Sequence, residues 1–175
     1  MKKQLTLIFL SFSMFAFSQT IIENFVMDWE RSKKHSLSIL EAMPKDKFDY
    51  KVSEESKSFA EEFLHIVQAN YGMMSTVLEK ENIINSQTSL NEELFKDTSK
   101  ENVITQTTKS YDFVIKNIKD FDENKLNDEV TFFGKYKLTK ARGILKVYEH
   151  QAHHKSKAIV NQRAAGVKPP NYMLF

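Results

Sequence analysis

Two histidines four residues apart, His150 and His154, stand in the segment Tyr148-Glu149-His150-Gln151-Ala152-His153-His154-Lys155 near the C-terminus. On a helix that spacing projects both imidazoles to one side, where two rings can grip one metal ion. A third histidine, His65, lies in a separate segment of helical character. Two rings from one helix and one from another supply three nitrogen ligands and leave a coordination position open for water or substrate. That is the layout of a catalytic metal site rather than a closed structural one. Imidazole suits zinc, nickel, copper and iron, so the ligands point to a divalent transition metal, with zinc or nickel expected. A hydrolytic step at such a site would also use a proton acceptor; Glu62 and Glu149 are candidates, and their spacing singles out neither. The chain has no cysteine, which excludes thiol catalysis by the protein itself.

Long helices must position these rings. Only four Gly and three Pro interrupt a chain rich in Lys, Glu, Leu, Phe and Met, and this composition predicts an all-α fold, a four-helix bundle with long connections. The first helix is expected from Ile21 to Met43, stopping at Pro44. The second is expected from Ser53 to Lys80, with Glu54 and Glu55 suiting the positive end of its dipole. A polar stretch from Asn82 to Thr98 predicts a loop with a short helical turn, followed by a third helix from Ser99 to Lys119. Glu129 to Leu138 alternates like a strand around Gly134 but has no obvious partner strand, so it is expected to be an extended connection packed on the bundle. The fourth helix is expected from Leu138 to Ala165, with Gly166 as its stop and Pro169 and Pro170 barring continuation.

At 100° per residue, Val147, His150, His154, Ala158, Asn161 and Ala165 form one stripe of the fourth helix. Lys146, Glu149 and Lys157 fall on the far side with His153, so the stripe is expected to face the interior and His153 to face outward. In the second helix Phe59, Phe63, Ile66, Val67, Tyr71, Met74, Val77 and Leu78 share a broad apolar arc, and His65 lies across from it beside Glu61, Gln68 and Gly72. The wheel alone makes His65 a surface residue. The small side chains Ser58, Ala69 and Gly72 near it leave room for a neighbouring helix. His35 has no partner at ligand spacing and is assigned to the surface or to helix packing.

The N-terminus has a basic start at Lys2 and Lys3, an apolar run from Leu5 to Phe17, and small residues at Ala16 and Ser18. This predicts a secretory signal peptide over residues 1–18, cleaved before Gln19, and a single domain over 19–175 that is periplasmic or secreted and keeps no membrane anchor. The leader holds two of the 25 basic residues and no acid, leaving 23 basic against 23 acidic residues. A neutral exported chain gives no charge argument for nucleic acid.

Several segments resemble the DinB-like (DinB/YfiT) family of four-helix bundles. Trp29 with Arg31, Ala42-Met43-Pro44 followed by Asp46-Lys47-Phe48-Asp49-Tyr50, and Ser58-Phe59-Ala60-Glu61-Glu62-Phe63-Leu64-His65-Ile66 are similar to its opening half. His150-Gln151-Ala152-His153-His154 through Arg163, Gly166, Pro169 and Pro170 is similar to its closing half. The resemblance implies a divalent metal held by one histidine of the second helix and two of the fourth, here His65, His150 and His154. The family usually continues the doublet with a basic residue, Gly and Gln, whereas Lys155 is followed by Ser156 and Lys157, so the contact made by that Gln is not carried over. Some relatives transfer cytosolic thiol cofactors, which an exported protein would scarcely meet.

The leading expectation is an exported metal-dependent enzyme, a hydrolase or transferase acting on a small molecule. A non-catalytic metal- or ligand-binding bundle of the cell envelope is the alternative, and a purely structural bundle the third. Homodimerisation through helix faces is compatible with the pattern, which does not test it.

Overall fold

The computed structural model describes residues 20–80 and 93–175. The leader expected over residues 1–18 and most of the expected Asn82–Thr98 loop lie outside the described residues. Four long helices, α1 (Ile21–Ala42), α2 (Phe59–Leu78), α3 (Lys100–Lys119) and α4 (Lys140–Ala164), make the bundle, and a two-stranded hairpin, β1 (Glu129–Phe132) and β2 (Tyr136–Thr139), precedes α4. No described helix is long and apolar enough to cross a membrane.

Each helix begins where a side chain satisfies backbone N–H groups that have no partner within the helix. Thr20 with Glu23 and Ser58 with Glu61 form reciprocal capping boxes at α1 and α2, while Ser99 and Thr139 cap α3 and α4. The Ser58 box corrects the expected start of α2 at Ser53. Residues 50–58 turn instead, tied by Phe59 N–H to Tyr50 O at 2.9 Å and Ala60 N–H to Phe48 O at 2.9 Å. The acids at the positive end of the helix are therefore Glu61 and Glu62, not Glu54 and Glu55. Gly166, with φ at +78°, ends α4 as expected.

Helix α2 packs against both α3 and α4, and α1 packs chiefly against α3. Twelve of the twenty α2 residues are buried, so this helix has no single solvent face. Trp29, Ile39, Phe59, Phe63, Met74, Tyr111, Val114 and Val147 are among the core residues.

The hairpin is the larger correction. Glu129–Leu138 is two antiparallel strands, with Glu129 opposite Thr139 and Phe132 opposite Tyr136. The partner strand lies inside the segment taken as one extended connection, and Leu138 belongs to β2 rather than to α4. Along β1, Val130 and Phe132 turn inward and Glu129 and Thr131 outward, the period-2 pattern of a strand lying on a core. Gly143 lets the hairpin sit on α4. A Cβ there would stand 2.8 Å from Val77 Cγ2 of α2 and 3.1 Å from the Phe132 ring of β1, so a side chain would press on both the neighbouring helix and the hairpin.

Candidate metal centre

Helices α2 and α4 bring the three expected histidines together. The His65 ring lies 5.0 Å from that of His150 and 4.3 Å from that of His154, and the α4 pair are 4.5 Å apart between centroids. One nitrogen from each ring falls within 4.8 Å of the others. His150 and His154 meet because one helix carries them a turn apart. His65 meets them because α4 packs along α2 beside Glu62 as well as beside Val77, so α2 is covered beyond its main apolar arc.

Two of the rings are held by neighbours. His154 Nδ1 lies 2.6 Å from Glu62 Oε2, and His65 Nδ1 lies 2.9 Å from Gln68 Oε1. Both partners are acceptors, so each Nδ1 carries the proton and each Nε2 keeps a free lone pair. His150 Nδ1 is buried with no protein partner.

Burial, then the neighbouring histidines, hold His150 down to about 4. Burial and the neighbouring charges, His65 and Lys157 first, hold His154 down to about 3. His65 is also lowered by burial, against the opposing effect of its Gln68 hydrogen bond. All three are therefore neutral imidazoles at pH 7, the form that coordinates a metal. Burial raises the Glu62 carboxyl while Lys157 and Lys57 pull it back. Neutral donors, two fixed tautomers and a buried nitrogen without a partner suit a transition-metal ion.

The other candidates separate from this cluster. His153 is exposed, its ring perpendicular to that of His154. Glu149 is exposed and paired with Lys146 at 2.6 Å. His35 is buried on α1 and stacks edge-on with Tyr172, which places it in packing. Sequence reasoning named Glu62 only as a candidate base and missed its contact with His154 across 92 positions. The available signal was its place one turn before His65, on the same side of α2.

A second polar cluster lies between α1, α3 and α4, and sequence reasoning missed it. Ser32 Oγ and Tyr111 OH both donate to Gln151 Oε1, at 2.8 and 2.9 Å. Ser36 Oγ stands 2.8 Å from Tyr111 OH, and Lys155 Nζ donates to Ser32 Oγ at 2.7 Å. Burial pushes the Tyr111 phenol up to about 12 and the Lys155 ammonium down to about 7, the latter helped by Arg31.

A model of the DinB family matches residues 14–174. Among solved structures, a DinB-like protein from Bacillus cereus is 17% identical with a TM-score of 0.74, covering 87% of this chain and 97% of its own. A DinB-like protein from Bacillus subtilis is 20% identical with a TM-score of 0.69, covering 86% of this chain and 98% of its own. At those identities the likeness is one of fold. No curated protein matches the chain.

Proposed function

Because this chain belongs to the DinB family, and because its three clustered histidines are compatible with metal binding, we propose that it is a metal-dependent enzyme of the hydrolase or transferase class acting on a small molecule. His65, His150 and His154 are the metal ligands in this reading, with zinc or nickel as the ion. When bound, such an ion supplies Lewis acidity at an open coordination position. The chain's own contribution is orientation. Glu62 accepts from His154 Nδ1, which leaves that ring's Nε2 as its free nitrogen and raises its basicity. Gln68 does the same for His65 without adding a charge. With its Oε2 engaged in that contact, Glu62 is a positioning residue rather than a free proton acceptor.

The observation that carries this reading is the convergence of three neutral ring nitrogens, two of them held in one tautomer by neighbours of different chemistry. The leader-like N-terminus adds export to the periplasm or beyond as part of the proposal.

Elemental analysis tests it, on protein purified without chelator or polyhistidine tag, beside a His150→Ala, His154→Ala double variant. About one equivalent of transition metal is expected in the wild type and almost none in a variant that keeps its helical circular dichroism. Metal-free wild type that takes up neither zinc nor nickel on titration would overturn the reading.

A further inference from the structure

A cavity of about 510 Å³ opens beside the histidine cluster, within the roughly 300–1,000 Å³ of small-molecule sites. Its apolar walls are Met73 of α2, Phe132 and Phe133 at the end of β1, and Tyr136 and Leu138 of β2, while His150 supplies one boundary. The charged residues at its edge come from α4: Arg142 stands there beside Lys146 and Glu149, which pair with each other. A molecule lying in the cavity therefore meets apolar surface along the hairpin and a ring of the candidate metal centre at one end.

The hairpin tip carries a second, independent observation. Phe133 has φ at +51° and is followed by Gly134 at +65°, in a turn closed by Lys135 N–H to Phe132 O at 3.0 Å. A left-handed backbone is easy for Gly or Asn, but a bulky aromatic there costs about 1–3 kcal/mol. Burial explains little of it: Val130 and Phe132 already anchor the strand in the core, and the Phe133 ring, though it meets Phe132 edge-on at 6.0 Å, remains 76% exposed. Tyr136, opposite Phe132 in the register, is 56% exposed on the same cavity. Two aromatic rings are thus kept at the rim of an apolar cavity, one at the expense of backbone strain.

We propose that the site takes a small molecule with an apolar acyl or aryl body seated between the hairpin and α4 and a donor heteroatom presented to the histidine cluster, with Phe133 and Tyr136 selecting which bodies fit. This rests on the metal-centre reading above and adds the substrate class.

The test uses full-length protein loaded with cobalt(II), whose visible absorption reports ligation, and a series of straight-chain hydroxamates from acetohydroxamate to octanohydroxamate. The chelating head is constant and only the apolar body grows. In the wild type, Kd is expected to fall by about fourfold per methylene until the cavity is filled. In Phe133→Asn, whose new side chain suits the left-handed turn and so preserves folding, the ratio between the longest and shortest ligand is expected to shrink at least tenfold. Tyr136→Ser, at an exposed strand position, provides a second variant expected to change in the same direction. A cobalt spectrum that responds to every hydroxamate with equal affinity would overturn the apolar-body proposal and leave the metal centre standing. Equal discrimination in wild type and both variants would overturn the role of the hairpin aromatics. Protein that binds no cobalt would overturn the metal reading and this inference with it.

Discussion

On α4, His150 and His154 face α2, while Gln151 and Lys155, each one residue further along, face α1 and α3. One helix thus carries two buried or half-buried polar pairs at the same four-residue spacing, about 100° apart around its axis. They end in different states. The Gln151 side is bound into protein: its Oε1 accepts from Ser32 and Tyr111, and Lys155 donates to Ser32. Gln151 Nε2 and Trp29 Nε1 have no protein partner there, but they sit on separate residues of different helices. On the histidine side three ring nitrogens converge, and Gln68 and Glu62 hold the other nitrogen of two of those rings, His65 and His154. Bonded polar groups joining three helices specify how the helices align. Convergent donors held from behind leave their front for a ligand.

The comparison breaks first at Tyr111. Tyr111→Ala removes a fully buried ring and the hydroxyl that joins Ser36 to Gln151, with an expected loss of about 3–5 kcal/mol in urea unfolding. The folded fraction should keep its metal affinity. An equal loss of metal affinity would show that the two clusters are one unit.

Glu62→Ala should do the reverse. Metal affinity measured by chelator competition is expected to weaken about 10–100-fold, with a smaller change in the stability of metal-free protein. Unchanged affinity would remove Glu62 from its positioning role.

Lys155→Met sharpens the contrast from the structural side. The folded value of about 7 lies below the usual lysine value of 10.5, so the unfolded chain binds the extra proton between those limits. Wild-type stability therefore rises with pH across about 7 to 10.5, and the penalty of a buried ammonium is fully present below 7. The variant is expected to be about 1–2 kcal/mol more stable at pH 6, with the gain fading as pH approaches 10. A gain that does not vary with pH would assign the effect to packing instead.

Legibility in the sequence followed the distance over which each interaction acts. The α4 histidine pair and the outward turn of His153 came from helical spacing within one segment, and the helix ends near Ala42 and Ala164 from proline and glycine signals close by. His65 came from the family resemblance, against the wheel. A wheel finds one apolar direction, and α2 is buried against two neighbours, so its second buried face has no separate signature in the pattern. The hairpin failed for a local reason. Gly134, with φ at +65°, marked the break, but Phe133 beside it in a second left-handed position carried the apolar run on through the turn, so two short strands looked like one. The contact of Glu62 with His154 and the bonds of Ser32 and Tyr111 to Gln151 join residues between 40 and 119 positions apart, beyond the reach of any spacing rule.

By itself the sequence determined that this chain is a helical bundle with few breaks, that its family is DinB, and that α4 presents two imidazoles on one side, because periodicity and capping are set by neighbours a turn away. Tertiary structure alone decided that the hairpin folds over α4 to wall a cavity beside His150, and that Glu62 rather than Glu149 meets the cluster. The two glutamates differ little as residues. Which one lies buried against an imidazole depends on how α2 and α4 pack, and that is fixed by the whole core.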